Sequence, residues 1–563
     1  MNEESELEEL APWLVIIVTL IGGFLRVGLL GTKGLWLDET FSIWMAQHSV
    51  GDMLQWMIKI DQHPPLYYLL LHYWIAHNGN TPYYVRLLSA LFGAATIPMI
   101  YLIGKRIAGA MTGLVAAVFL SLSLFNIYFA QETRMYTFLA FNAAAAIYAL
   151  VRLLTDSRSL RPIGSQSREY LHAWRTPGPV EPKTQGDFTY KDETRNQTGW
   201  RGWIFRHRWS PIRTLSTDLA WVAFIVFSAA TLLSHNTAVF FLLATNIYVL
   251  ALMLYQRIKK SGPPLALRAP SVGNWVKAQI GIFFLWSPWL FAFIRQAGTV
   301  DREFWIPKPG WDAIIHTLRT LLNPSAPGQA GQVMTWVLCA VLCLGLVYYR
   351  KKLSIFVFLA ALFAIPFLGE LIVSIRRPIF LDRTLIWITI PLFLLLAAGI
   401  AQLRFRLLMI VVVGILGANY LFATADYYRF VQKEDWSDPA GYVANDVKQD
   451  DLILFNSPMV QVAFDYYFKA YEDMYALKAE KQGVPDMFDS GLPEPRMTNS
   501  DIPRLISLLS GHNRVWLVYS HDSYTDPMGL VPQTLAGQMN LIQKHDFYGG
   551  QVQVYETYSS PKE

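Results

Sequence analysis

The chain has 563 residues, of which 53% are hydrophobic, 14% aromatic and only 16% charged. Soluble domains are about one quarter charged, so this composition excludes an ordinary soluble protein. The net charge of +5 sits mostly in connecting loops and offers no basic face for nucleic acid.

The opening "MNEESELEEL" is acidic and lacks the positive n-region of a secretory signal, so the first span is expected to be retained. Apolar stretches of bilayer length then predict a polytopic α-helical membrane protein with about eleven transmembrane helices. They fall near 12–31, 86–104, 108–126, 135–152, 217–234, 236–256, 274–294, 331–349, 353–374, 384–402 and 406–424. Cys339 and Cys343 lie inside one of these runs and form no disulfide framework. Clustered base in "GKR" (104–106), "QRIKK" (256–260), "YYRKK" (348–352) and "RFR" (404–406) falls on one side of this scheme, together with a basic loop at 155–212. The positive-inside rule makes that side cytoplasmic and places everything after residue 424 outside.

"GLWLDETFSIW" (34–44) puts Asp38 beside Glu39 just past the first span, either as a solvated loop or as a pair of working carboxylates. "DQHPPLYYLLLHYW" (61–74) is too short for a span and reads as an aromatic-rich interfacial helix that His63 either caps or serves. "FAQETRMYTF" (129–138) brings Glu132, Arg134 and Tyr136 to the start of a span, where the charges pair with each other, with lipid headgroups or with a ligand. The 155–212 loop is rich in Arg, Gly, Pro and Thr and reads as extended, with one surface helix near 199–209. His235 interrupts two apolar runs as a turn residue or a ligand, and Arg302 and Glu303 follow on the same side. "IRRPIFLDRTLIW" (375–387) gathers Arg376, Arg377 and Arg383 with Asp382 against the positive-inside bias, which points to a bound anion such as a phosphate. From 425 the pattern changes: "DLILFN" (451–456), "RVWLVYS" (514–520) and "VQVYETY" (552–558) predict strands of a small external α/β domain at 425–563. The candidate residues all collect on the external side, which suggests a site at that membrane boundary.

The runs "LWLDETFS", "HPPLYYLLLHYW", "YVRLLSALFG" and "AQETRMY" resemble the GT-C superfamily of integral-membrane glycosyltransferases, in the branch of protein O-mannosyltransferases and the lipid A aminoarabinose transferase. The likeness covers 12–150 and recurs at "SHN" (234–236), at 377–400 and at "KEDWSDPAGYVAND" (433–446). It implies a GT-C catalytic module over 1–424 in the plasma (cytoplasmic) membrane. It also implies an inverting enzyme that takes a hexosyl or pentosyl unit from a polyprenyl-phosphate donor to a glycan, lipid or protein acceptor outside. Asp38 or Glu39 corresponds to the family's catalytic acid, with Asp38 favoured as the base. His63 and His235 correspond to positions where one relative binds a divalent metal ion. Inverting transfer needs a base at the acceptor and a cation at the departing phosphate, roles that suit Asp38 and the external arginines. No glycine-rich phosphate loop adjoins a strand, so a nucleotide-sugar donor is not supported. A secondary transporter is the first rival, although no internal repeat is visible; a non-catalytic receptor using the external domain is the second.

Overall fold

The computed structural model describes residues 3–61, 63–156, 217–259, 266–299, 306–322, 328–403, 405–487 and 495–558. Nearly all of the 155–212 loop with its expected helix at 199–209, and both Arg302 and Glu303, lie outside the described residues.

Among the described residues nine helices are long and apolar enough to cross a membrane. The two other expected positions hold a bent pair and the shorter apolar helix Thr217–Leu232. The chain begins with α1 (Glu3–Val27), followed by three short helices, α2 (Leu37–Gln47), α3 (Val50–Lys59) and α4 (Leu66–Asn78). The sequence reading expected only the last of these. Then come α5 (Pro82–Ala108), α6 (Ala110–Leu122), α7 (Leu124–Ala130) and α8 (Tyr136–Thr155). At Ser123, whose hydroxyl accepts from the Asn126 N–H, the chain turns by 56° between α6 and α7. A break of this kind strands the last carbonyls of the first helix. The buried guanidinium of Arg26 fills them, donating to the Leu120 oxygen at 2.8 Å and the Ser121 oxygen at 3.0 Å.

Two segments form the centre of the bundle, α8 and the stretch Asp382–Ala401, whose apolar windows are 89% and 94% buried. The run Ala143–Ala146 lets neighbours approach α8 closely. Helix Thr389–Ala401 meets helix Gly328–Tyr349 backbone to backbone. A Cβ on Gly399 would lie 2.1 Å from the Val341 oxygen, and one on Gly345 would lie 1.9 Å from the Leu395 oxygen.

The basic turns converge at one end of the bundle. There Arg106 Nε donates to Thr155 Oγ1 at 2.8 Å, and the Leu267 N–H donates to Ser354 Oγ at 3.3 Å. The opposite end carries α2 to α4, the turn at 131–135, the 233–238 break and the 375–388 segment. Helix Arg406–Phe430 ends there and leads through 431–436 into the sheet domain.

That domain holds a five-stranded sheet in the order β2-β1-β3-β5-β4. The strands are β1 (Leu452–Phe455), β2 (Glu480–Gly483), β3 (Arg514–Tyr519), β4 (Met539–Phe547) and β5 (Gly550–Thr557). β1 runs parallel to β2 and β3, and β5 and β4 complete the sheet antiparallel. β1 and β3 are continuous apolar runs because both faces are covered. Helix Pro458–Tyr475 seats the domain on the bundle: the Leu35 N–H donates to the Tyr467 hydroxyl at 2.7 Å, and the Tyr466 hydroxyl donates to the Asn80 oxygen at 2.8 Å.

With the basic turns read as cytoplasmic, a tag inserted after Lys351 is expected on the cytoplasmic side and a tag at residue 563 on the external side. Protease protection in sealed vesicles reads both; protection of the two tags from the same side would overturn the end-to-end assignment.

Candidate active site

Asp38 and Glu39 occupy the first turn of α2, where the helix dipole favours negative charge. Neighbouring residues on a helix project about 100° apart, so the two carboxylates separate. Glu39 turns inward and is fully buried. Arg86 Nε and Nη2 donate to its two oxygens at 2.8 and 2.6 Å, and the Thr133 N–H adds a bond to Oε1 at 2.8 Å. The remaining donors of Arg86 go to the carbonyls of Leu30, Lys33 and Gly34 at 2.7–2.8 Å. Burial alone would raise the Glu39 carboxyl, but the charges of Arg86 and Lys433 and these hydrogen bonds hold it below the ordinary glutamate value. Glu39, expected as a catalytic candidate beside Asp38, is therefore committed to the scaffold on both oxygens.

Asp38 stays within reach of solvent, with its side chain 19% exposed. Its Oδ2 accepts from Arg383 Nη1 at 3.2 Å and lies 3.9 Å from Arg134 Nε. Its carbonyl accepts from Ser42 Oγ at 2.8 Å and from Arg134 Nη1 at 3.4 Å. Arg134 Nη1 also reaches Ser42 Oγ at 3.1 Å and the Tyr68 hydroxyl at 3.3 Å, while Arg383 lies over the Tyr136 ring at 5.7 Å. Burial pushes the Asp38 carboxyl up, and the two guanidinium groups more than reverse it, so the group stays ionised below the ordinary aspartate range.

His63 Nδ1 lies 2.8 Å from Asp61 Oδ1, and its Nε2 lies 3.4 Å from Arg134 Nη2. A guanidinium only donates, so Nε2 accepts and Nδ1–H donates to Asp61. The His235 ring stands 5.3 Å from that of His63, and its Nδ1 accepts from the Thr237 N–H at 3.2 Å. Burial, then the neighbouring His63 and the Arg134 and Arg383 guanidinium groups, hold the His235 imidazole well below its ordinary value, so it is neutral. The metal site expected on these two histidines does not fit the donors present. Among the described residues no three His, Cys, Asp or Glu side chains are placed to hold an ion. Both ring nitrogens of His63 are engaged, one of them by a cation.

The other expected residues divide. Glu132 is buried behind the site on Lys433, at 3.2 Å, rather than paired with Arg134. Burial raises its carboxyl, partly offset by Lys433. Of the three arginines expected to hold phosphate, only Arg383 is carried to Asp38. Arg376 lies exposed and Arg377 half-buried at the end of helix Leu353–Ser374, because their amides still continue its last turn onto Val373. The chain turns inward only after Pro378, through the 3-10 segment Asp382–Ile388. Sequence reasoning missed Arg86, Asp61 and Lys433. Arg86 had a signal, being an arginine inside an apolar span.

Residues 62–162 match the family described as dolichyl-phosphate-mannose-protein mannosyltransferase. No curated protein matches the chain by sequence. Solved structures match it in fold. The apo form of ArnT from Cupriavidus metallidurans gives a TM-score of 0.55 at 13% identity, over 96% of this chain and 97% of that one. The same protein bound to undecaprenyl phosphate gives 0.51 at 14%, over 96% and 97%. An Archaeoglobus fulgidus oligosaccharyltransferase tethered with an acceptor peptide gives 0.50 at 9%, over 98% of this chain and 74% of that one.

Removing one partner of a buried, hydrogen-bonded ion pair costs about 3–5 kcal/mol, so Glu39→Gln lowers the thermal midpoint in detergent far more than Asp38→Asn does. The Glu39 carboxyl is depressed in the folded protein. Its contribution is thus present above the ordinary value of 4.5 and lost as the pH falls through the lower folded value, and the gap between wild type and variant narrows in acid. Equal midpoints at neutral pH would show that this pair does not hold the loop.

Proposed function

We propose that this chain, which has the GT-C fold of integral-membrane glycosyltransferases, moves a sugar with inversion from a polyprenyl-phosphate carrier to an acceptor hydroxyl on the external side of the plasma membrane. The observation that carries this reading is a single half-buried carboxylate, Asp38, bracketed by Arg134 and Arg383. Two guanidinium groups at one half-buried carboxylate present planar, bidentate donors, which suit a phosphate. The site lies at the end of the bundle away from the basic turns, which supports an external position. ArnT, similar in fold, binds undecaprenyl phosphate, which supports a lipid-linked donor.

The geometry suggests how binding and basicity are coupled. Arg383 is 16% exposed and Arg134 only 4%, so Arg383 meets the donor phosphate first. As the phosphate draws the guanidinium groups, Asp38 loses the charges that depress it and becomes a stronger base. Asp38 then takes the acceptor proton, the acceptor oxygen attacks the anomeric carbon, and the bond to the carrier phosphate breaks. The negative charge left on that phosphate stays with the arginines. Neutral His235 offers its Nε2–H to a sugar oxygen.

Asp38→Asn keeps the shape but cannot take a proton at neutral pH, so turnover with a synthetic polyprenyl-phosphate sugar falls by about 10²–10⁴-fold while donor binding persists. Near wild-type transfer by this variant would sink the assignment. Arg383→Lys keeps the charge and loses the planar fork, so donor affinity weakens while folding survives. An unchanged donor affinity in Arg383→Ala would remove this residue from the phosphate site.

A further inference from the structure

Segment 431–436 joins helix Arg406–Phe430 to the sheet domain, and three successive residues in it face three different bodies. Lys433 points into the bundle and is 9% exposed. Its ammonium donates to the Gln131 oxygen and to Glu132 Oε1, each at 3.2 Å, and stands 5.1 Å from the Tyr128 ring centroid. Glu434 turns to the sheet, where its Oε1 lies 3.3 Å from Nε2 of His521, two residues past β3. Asp435 packs on the loop before α2 so closely that a Cβ on Gly34 would come 2.5 Å from its carboxyl carbon.

The turn that Lys433 holds is the one that carries Arg134. Within this turn Gln131 donates to the carbonyls of Arg26 and Gly28 at 3.2 and 2.7 Å, and the Thr133 N–H donates to Glu39. Arg134 follows directly and reaches Asp38. The bundle therefore fixes the turn from α1 and α2, and the linker fixes it from the side of the sheet domain. Without Lys433, Glu132 loses the cation bonded to it and remains a fully buried carboxyl. Such a group takes up a proton or moves toward water, and either response shifts the turn.

We propose that Lys433 is a positioning residue: paired with Glu132, it ties the linker of the sheet domain to the 131–135 turn and so sets Arg134 against Asp38. The proposal rests on the transferase reading above. It makes the sheet domain part of the catalytic unit, since the position of its linker is registered in the geometry of the proposed base. Displacements of about 1 Å at reacting groups cost up to about 10²-fold in rate, so a small shift of the turn is enough to be read.

The test compares wild type, Lys433→Met and the double variant Lys433→Met with Glu132→Gln in full-length protein. Three readouts are taken: thermal midpoint, kcat and KM for a synthetic polyprenyl-phosphate sugar, and deuterium exchange of the 131–135 amides. Lys433→Met is expected to lose stability and about 10- to 100-fold in kcat, with donor KM little changed because Arg383 is intact. The double variant leaves no lone buried charge, so its midpoint recovers while kcat stays low and the turn exchanges faster. A purely structural role instead returns kcat together with stability, and wild-type kcat in the double variant overturns the proposal. Should Lys433→Met fail to accumulate, the double variant decides alone. Should wild type itself transfer nothing, the transferase reading falls, and wild-type exchange at 131–135 in the double variant then overturns the tie.

Discussion

The ion pair of Glu39 with Arg86 is the contact on which the rest of the site depends. Both side chains are at most 2% exposed, and all five donors of the guanidinium are used. A buried pair of this kind is not inherently more stabilising than apolar packing; its value lies in permitting one geometry. Here it registers the α1–α2 loop, helix α2, span α5 and, through the Thr133 N–H, the 131–135 turn. Asp38 is one residue away and inherits its direction from that arrangement.

A second buried arginine makes the first arrangement possible. The 56° break between α6 and α7 redirects the chain so that the 131–135 turn lies beside α2. A break inside a bundle exposes carbonyls where no water can reach them, and Arg26 satisfies them. Arg26, Arg86, Glu39, Glu132 and Lys433 are thus held in pairs or on carbonyls at this end of the bundle. In the Asp38 cluster two guanidinium groups share one half-buried carboxylate. Those guanidinium donors are the feature on which the proposed donor site is built.

Much of the architecture was legible because its signals are local. Long apolar runs have no stable alternative to helices in a bilayer, so all eleven expected spans meet a helix in the structure, one of them bent and one short. β1, β3 and β5 were visible as apolar or alternating runs. β2, "EKQG", is polar and four residues long, and β4 is largely exposed, so neither carried a pattern. α2 and α3 were missed because neither is longer than the shortest window over which helical periodicity stands out.

Composition and spacing determined by themselves that this is a many-span membrane protein with an α/β appendage, and that its acids, histidines and unusual arginines gather at one end. They could not divide the labour among those residues. Asp38 and Glu39 are equivalent on paper, and only the position of Arg86, 47 residues on, makes one a scaffold carboxylate and leaves the other partly exposed. Arg376, Arg377 and Arg383 likewise look alike until the backbone turns inward after Pro378. Local pattern reports which groups are costly to bury. Which partner meets each of them depends on contacts between segments distant in sequence, and in a low-dielectric interior that partner decides whether a charge holds the structure or remains available for chemistry.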